Sequence, residues 1–89
     1  MKLTGKCLSD FGDQCALQYK NFIKLPESCQ NALIIEFFDS VGIYTGITLY
    51  AGYWRFYIDK NCLGLKNTRT EATNSAIEKA NEIYNKNNQ

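Results

Sequence analysis

The chain contains no histidine, which removes the commonest general base and the usual partner of a serine or cysteine nucleophile. Its four cysteines, Cys7, Cys15, Cys29 and Cys62, are never two to four residues apart, the spacing at which one turn presents two zinc ligands. No metal or other cofactor is expected. The opening "MKLTGKCLSDFGDQC" lacks the apolar run of a signal peptide, so a disulfide framework has little support, and the thiols read as small buried hydrophobes. No segment approaches the ~20 apolar residues that span a bilayer. The expected setting is a soluble, cytoplasmic protein without membrane contact. Charge of one sign is lacking too. Ten basic residues face nine acidic ones, for a net charge of +1, and the basic ones are scattered, so no stretch forms a polyphosphate-binding field.

Proline and glycine are sparse, one and six in 89 residues, beside 45% hydrophobic and 13% aromatic residues. That balance excludes disorder and requires a packed core. A chain of this length hides roughly 60% of its unfolded surface, enough for one domain (residues 1–89) and not for two.

Periodicity orders the elements. From Thr4 to about Lys20 the apolar residues Leu8, Phe11, Cys15, Leu17 and Tyr19 recur every three or four positions, which predicts an amphipathic helix weakened by Gly12. In "KLPESCQNALIIEFFDSVG", Pro26 suits the first turn of a second helix and Gly42 the left-handed residue that ends it. Cys29, Leu33, Phe37 and Val41 form its stripe, widened by Ala32, Ile34 and Phe38. After Gly42 the period becomes two. Ile43, Thr45, Ile47 and Leu49 share one face of a strand, while Tyr44, Gly46, Thr48 and Tyr50 take the other. In the next strand Trp54, Phe56 and Ile58 oppose Tyr53, Arg55, Tyr57 and Asp59. A two-residue turn at Ala51-Gly52 pairs Leu49 with Trp54, Ile47 with Phe56 and Thr45 with Ile58. A three-residue loop would shift the pairing by one and set Ile47 against Arg55. The turn chemistry argues less well, since a type I′ turn prefers Asn or Asp where Ala51 stands. "DKN" turns the chain again into a short third strand, "CLGLK". Thr68 and Glu71 form a capping-box pattern before Ala72, Ala76, Ala80, Ile83 and Tyr84 at helical spacing, predicting a helix from Arg69 to Asn85 and a fraying tail (residues 85–89). The expected fold is α+β, with two N-terminal helices, a two- or three-stranded antiparallel sheet and a C-terminal helix.

Candidate chemistry is sparse. Glu36 and Asp39 lie three apart on one helix, but a carboxylate pair without a phosphate loop or metal cluster is a solvated face more often than an acid/base couple, so no enzyme is expected. Tyr44, Tyr50, Tyr53, Arg55 and Tyr57 share the face opposite Trp54. They are the candidate contact residues, because tyrosine and arginine are enriched at interface hot spots and bases stack on tyrosines. The competing reading covers that face with the first helix, or treats it as a tyrosine ladder that stabilises the hairpin. Leu49, Trp54, Phe56 and Ile58 are expected in the core.

Two resemblances bear on function. The strands followed by "TRTEATNSAIEKA" resemble the second half of a double-stranded-RNA-binding domain, and Thr68, Arg69, Glu71, Ala72 and Ala76 fit its outline. That resemblance implies phosphate contacts from the helix start. Here Thr70 and Thr73 stand where two of that family's lysines belong, leaving Arg69 as the nucleic-acid candidate. Over almost the whole length, "MKLTGKC", "FFDSVGIY" and "TRTEATNSAIEKANEIYN" resemble short uncharacterised proteins of gut Bacteroides and their phages or integrated elements, with Glu36 where aspartate is common and Thr73 where a basic residue is common. That group has no assigned activity and lends no functional residue. It implies a small accessory protein of a mobile element that binds a host protein, with nucleic acid the alternative partner.

Overall fold

A computed structural model describes residues 2–15 and 18–88. The order is α1 (Gly5–Gln14), the single-turn α2 (Tyr19–Phe22), α3 (Glu27–Ser40), β1 (Thr45–Tyr50), β2 (Tyr53–Ile58), β3 (Asn61–Lys66) and α4 (Arg69–Asn87). The strands form one antiparallel sheet in the order β1-β2-β3, and the α+β layout is the expected one. No helix among the described residues is long and apolar enough to cross a membrane.

The C-terminal helix starts where its sequence directs. The Thr68 hydroxyl accepts from the Glu71 amide at 3.1 Å and sits 3.1 Å from the Glu71 carboxylate, satisfying one of the helix's orphan donors. Ala72, Ala76 and Ala80 are fully buried, and this small-residue seam lets α4 lie along one face of the sheet. The helix runs to Asn87, two residues beyond the expected end. Asn85 is bonded into the N-terminal segment and the Asn88 side chain donates to the Tyr84 carbonyl at 2.8 Å.

At the end of α3, Gly42 adopts φ 83°. Its amide donates to the Asp39 carbonyl, and the Ile43 amide to the Phe38 carbonyl at 2.9 Å. This is the Schellman arrangement, and it delivers Ile43 into the core beside Phe38. Pro26 is the residue before the helix rather than its first residue.

The hairpin register is the one patterning demands, with Leu49 opposite Trp54, Ile47 opposite Phe56 and Thr45 opposite Ile58. Both turn residues are left-handed, Ala51 at φ 50° and Gly52 at φ 83°, as a type I′ turn requires. Burial of the apolar face therefore outweighs a poor turn residue, at a cost of about 1–2 kcal/mol for a left-handed alanine.

Four expectations need correction. The helix expected over Thr4–Lys20 ends at Gln14, because Cys15 is extended (φ −70°, ψ 129°); Leu17 lies outside the described residues. The buried stripe of α3 is Asn31, Ile34, Phe37 and Phe38, with Cys29 and Ala32 exposed. Asn31 is buried because its amide is satisfied by Lys2 Nζ at 3.0 Å and by Asn74 Oδ1 at 3.2 Å. Of the cysteines only Cys7 is buried, Cys15 is half-buried, and Cys29 and Cys62 are exposed. Leu49 is 58% exposed. The cause is geometric: Leu49 lies on the edge strand β1, opposite Trp54 on the central strand, and the Arg69 side chain in the first turn of α4 sits over Trp54.

The core accordingly sits among the helices. Phe11 meets Phe22 edge-on at 5.3 Å and Phe37 at 5.6 Å, and Phe37 meets Tyr84 at 5.6 Å. These geometries are favoured for ring quadrupoles. Phe56, Ala72 and Ala76 make a smaller cluster under Ile47 and Trp54. The N-terminus is clasped by α4. The Cys7 amide donates to Asn85 Oδ1 at 2.8 Å, the Thr4 amide donates to Asn81 Oδ1 at 3.0 Å, and Asn81 Nδ2 returns a bond to the Thr4 hydroxyl at 3.0 Å. Helix α1 thus takes its cap from side chains almost eighty residues away in sequence.

If the left-handed alanine carries strain, Ala51→Asn raises the unfolding free energy by about 0.5–1 kcal/mol in urea denaturation, with an unchanged m-value. A variant less stable than the wild type contradicts the turn assignment.

Candidate interaction face

Alternation along β1 and β2 splits the aromatic run in two. Phe56 and Ile58 are buried beneath the helices and Trp54 is half-buried. Tyr50, Tyr53, Arg55 and Tyr57 project from the opposite side, with Tyr44 just before β1 in the same alternation. Among the described residues no helix is packed over them; α1 packs against α3 and α4. Tyr44, Tyr50 and Tyr53 are 57%, 55% and 49% exposed, and Arg55 and Tyr57 are half-buried.

Arg55 organises the face. Its guanidinium carbon lies 4.6 Å from the centroid of the Tyr50 ring and 5.3 Å from that of Tyr57, inside cation–π range. The Tyr57 ring in turn lies across Gly46, where the position of an added Cβ is 3.6 Å from it. Arg55 is held above the ordinary guanidinium pKa, chiefly by the neighbouring Cys62 side chain, against a smaller opposing effect of desolvation and with support from Tyr57. The result is a shallow patch of phenols around one fixed cation. Strands β1 to β3 carry no carboxylate.

Two further residues of this face were hidden in the sequence. β3 pairs Leu65 with Arg55 and Cys62 with Tyr57, with an irregularity at Leu63. Uninterrupted alternation from Cys62 would turn Leu65 toward the helices. The extra residue of the bulge turns it outward instead, where it is 49% exposed.

Arg69 does not join the tyrosines. Its guanidinium carbon lies 5.7 Å from the Trp54 ring centroid, on the helix side of the sheet, so the two nucleic-acid elements considered in the sequence point to opposite faces. Glu36 and Asp39 are both exposed. Among the described residues no three potential metal ligands converge.

A titratable cluster with three shifted groups joins α1 to α4. The Tyr84 hydroxyl donates to Asp10, and Lys6 lies 2.9 Å from the other Asp10 oxygen. The Tyr84 bond, then the Lys6 bond, hold the Asp10 carboxyl below its ordinary value. The same Asp10 bond, with burial, pushes the Tyr84 phenol up to about 12. Burial, then Asp10, pushes the Cys7 thiol up to about 11. A thiol kept protonated is the reverse of an activated nucleophile, so the cluster works as a clasp.

No family model matches the chain, and no curated protein or solved structure is significantly similar to it.

The clasp has a signed pH dependence. Asp10, with its lowered folded pKa, stabilises the fold above the ordinary value of 3.8 and loses that effect as pH falls through the folded value. Tyr84, with its raised folded pKa, stabilises fully below 10 and loses that effect as pH rises through about 12. Tyr84→Phe should lower the urea midpoint most at neutral pH and least in acid, and should delete from the ultraviolet titration a phenol that ionises near 12. A stability gap independent of pH contradicts the clasp.

Proposed function

We propose that the chain is a small non-enzymatic interaction module that binds a protein through the open sheet face, with Tyr44, Tyr50, Tyr53, Arg55 and Tyr57 as its contacts. One observation carries the reading: these five side chains, exposed or half-exposed, lie together on the side of the sheet that no helix covers. Broad, rigid tyrosine rings supply contact area at low entropic cost, and an arginine held between them presents a preorganised charge. A partner that places a carboxylate over Arg55 would meet the one cation of the patch without facing a like-charged group. The setting we propose is an accessory protein of a bacterial mobile element acting on a host protein in the cytoplasm, supported by the resemblance of the opening, helix-end and closing segments described above.

Stacking of single-stranded nucleic acid is the second reading, supported by the same rings. It is disfavoured by charge. Arg55 is the only cation among the five, Arg69 is on the other side, and the net charge is +1, so the counterion-release contribution that dominates such binding is small.

Affinity capture from the host with the wild type and with Tyr53→Ala/Arg55→Ala separates these readings. The double variant should retain the thermal midpoint within a few degrees and weaken capture of a specific protein roughly thirtyfold or more. Capture unaffected by the double variant removes the face as the site. A salt-dependent mobility shift with single-stranded RNA or DNA, lost in the same variant, would move the assignment to nucleic acid.

A further inference from the structure

The two edges of the sheet are treated differently. β3 is interrupted by the bulge at Leu63 and ends in Lys66, two devices that discourage another strand from pairing. β1 has neither. Thr45–Tyr50 contains no charged residue and no proline, and it pairs with β2 in unbroken register. From Tyr44 to Tyr53 the sequence carries no charge at all.

The outward groups of β1 follow from its turn. In a two-residue hairpin the closing pair, here Tyr50 with Tyr53, exchanges both backbone bonds, and the pattern then alternates. Gly46, Thr48 and Tyr50 therefore point their amides and carbonyls at β2, while Thr45, Ile47 and Leu49 point theirs away. Among the described residues, no side chain or loop backbone takes up those outward groups. At the tip of the same strand Leu49 and Tyr50 are more than half exposed.

We infer that a second copy of this chain pairs antiparallel along β1, joining the two sheets into one of six strands. The register is dictated by alternation. Reciprocal bonds can form only between outward-pointing residues, and one alignment uses all three on both copies: Ile47 opposite Ile47, with Thr45 opposite Leu49 on either side. The open-face residues then oppose Tyr44 to Tyr50 and Gly46 to Thr48. No like charges meet, because the edge has none. A second copy brings the same uncharged strand, so every outward group of β1 finds a reciprocal partner and no charge is buried, whereas β3 carries Lys66 and a bulge. The two-fold axis is perpendicular to the sheet, so both helix layers stay on one side. Both tyrosine faces lie on the other, continuous across the junction. This inference does not depend on the function proposed above, since the contacts made by β2 residues Tyr53 and Arg55 take no part in the pairing.

Sedimentation velocity of the full chain from about 1 µM to about 500 µM should show the mass rise toward that of a dimer. Over the same range, amide exchange followed by NMR should slow about tenfold or more at Thr45, Ile47 and Leu49, and not along β3. Leu49→Pro removes an outward donor and leaves every bond to β2 in place. It should keep the helical circular dichroism and remain monomeric, whereas Tyr53→Ala/Arg55→Ala should associate like the wild type. A monomer at every concentration overturns the inference, as does a dimer whose protection falls outside those three amides or a folded Leu49→Pro variant that still dimerises. If Leu49→Pro fails to fold, the wild-type exchange pattern decides alone.

Discussion

Ala72, Ala76 and Ala80 give α4 a face with almost no side-chain bulk, and all three are fully buried. A bulkier residue at any of them would lift the helix from the sheet and open the space that Phe56 and Ile77 now fill. Overpacking of this kind costs about 1–3 kcal/mol, a large share of the stability of a small domain. The close approach of one helix to one face of three strands sets the positions of the remaining elements. α3 packs beside α4, and α1 is bonded to it through Asn81 and Asn85.

That arrangement divides the chain's aromatic residues into two populations. Phe11, Phe22, Phe37, Phe38 and Tyr84 join with Ile34, Ile43, Ile58 and Ile77 in a core among the helices. The sheet contributes only one of its faces to burial, so its other face is released from packing. Tyrosine suits a released face, being apolar enough to strengthen cross-strand pairing and polar enough to meet water. Among the described residues the outward backbone groups of β1 have no partner, which is why the contrast between the bulged β3 and the plain, neutral β1 carries meaning.

The parts of this structure legible in the sequence are those written in period and punctuation. The switch from helical spacing to alternation located the hairpin. The requirement that apolar partners share a face chose the register, against the preference of the turn itself, and the left-handed Ala51 shows that the register won. The cap at Thr68 and the end at Gly42 were readable because each is a local hydrogen-bonding device. What was not readable depends on distance. Asn81 and Asn85 carry no periodic signal, yet they cap a helix at the other end of the chain. The break at Cys15 has no breaker residue to announce it. Leu49 fits the core pattern and lies outside the core because it sits on the edge strand, while Arg69 at the start of α4 covers its partner Trp54. Leu65 reaches the open face through a bulge that strict alternation does not contain. For the candidate site, alternation placed Tyr44, Tyr50, Tyr53, Arg55 and Tyr57 together. Their exposure depended on where α1 packs, which no local pattern specifies.

The tyrosine face of the sheet is open while its helix side is closed. Photochemically induced nuclear polarisation, which marks only tyrosines that a dissolved dye can touch, tests it residue by residue. Strong signals are expected from Tyr44, Tyr50 and Tyr53 and none from Tyr84, a residue only 8% exposed. Silence from Tyr50 and Tyr53 in the isolated protein, at a concentration where it is monomeric, would contradict the claim.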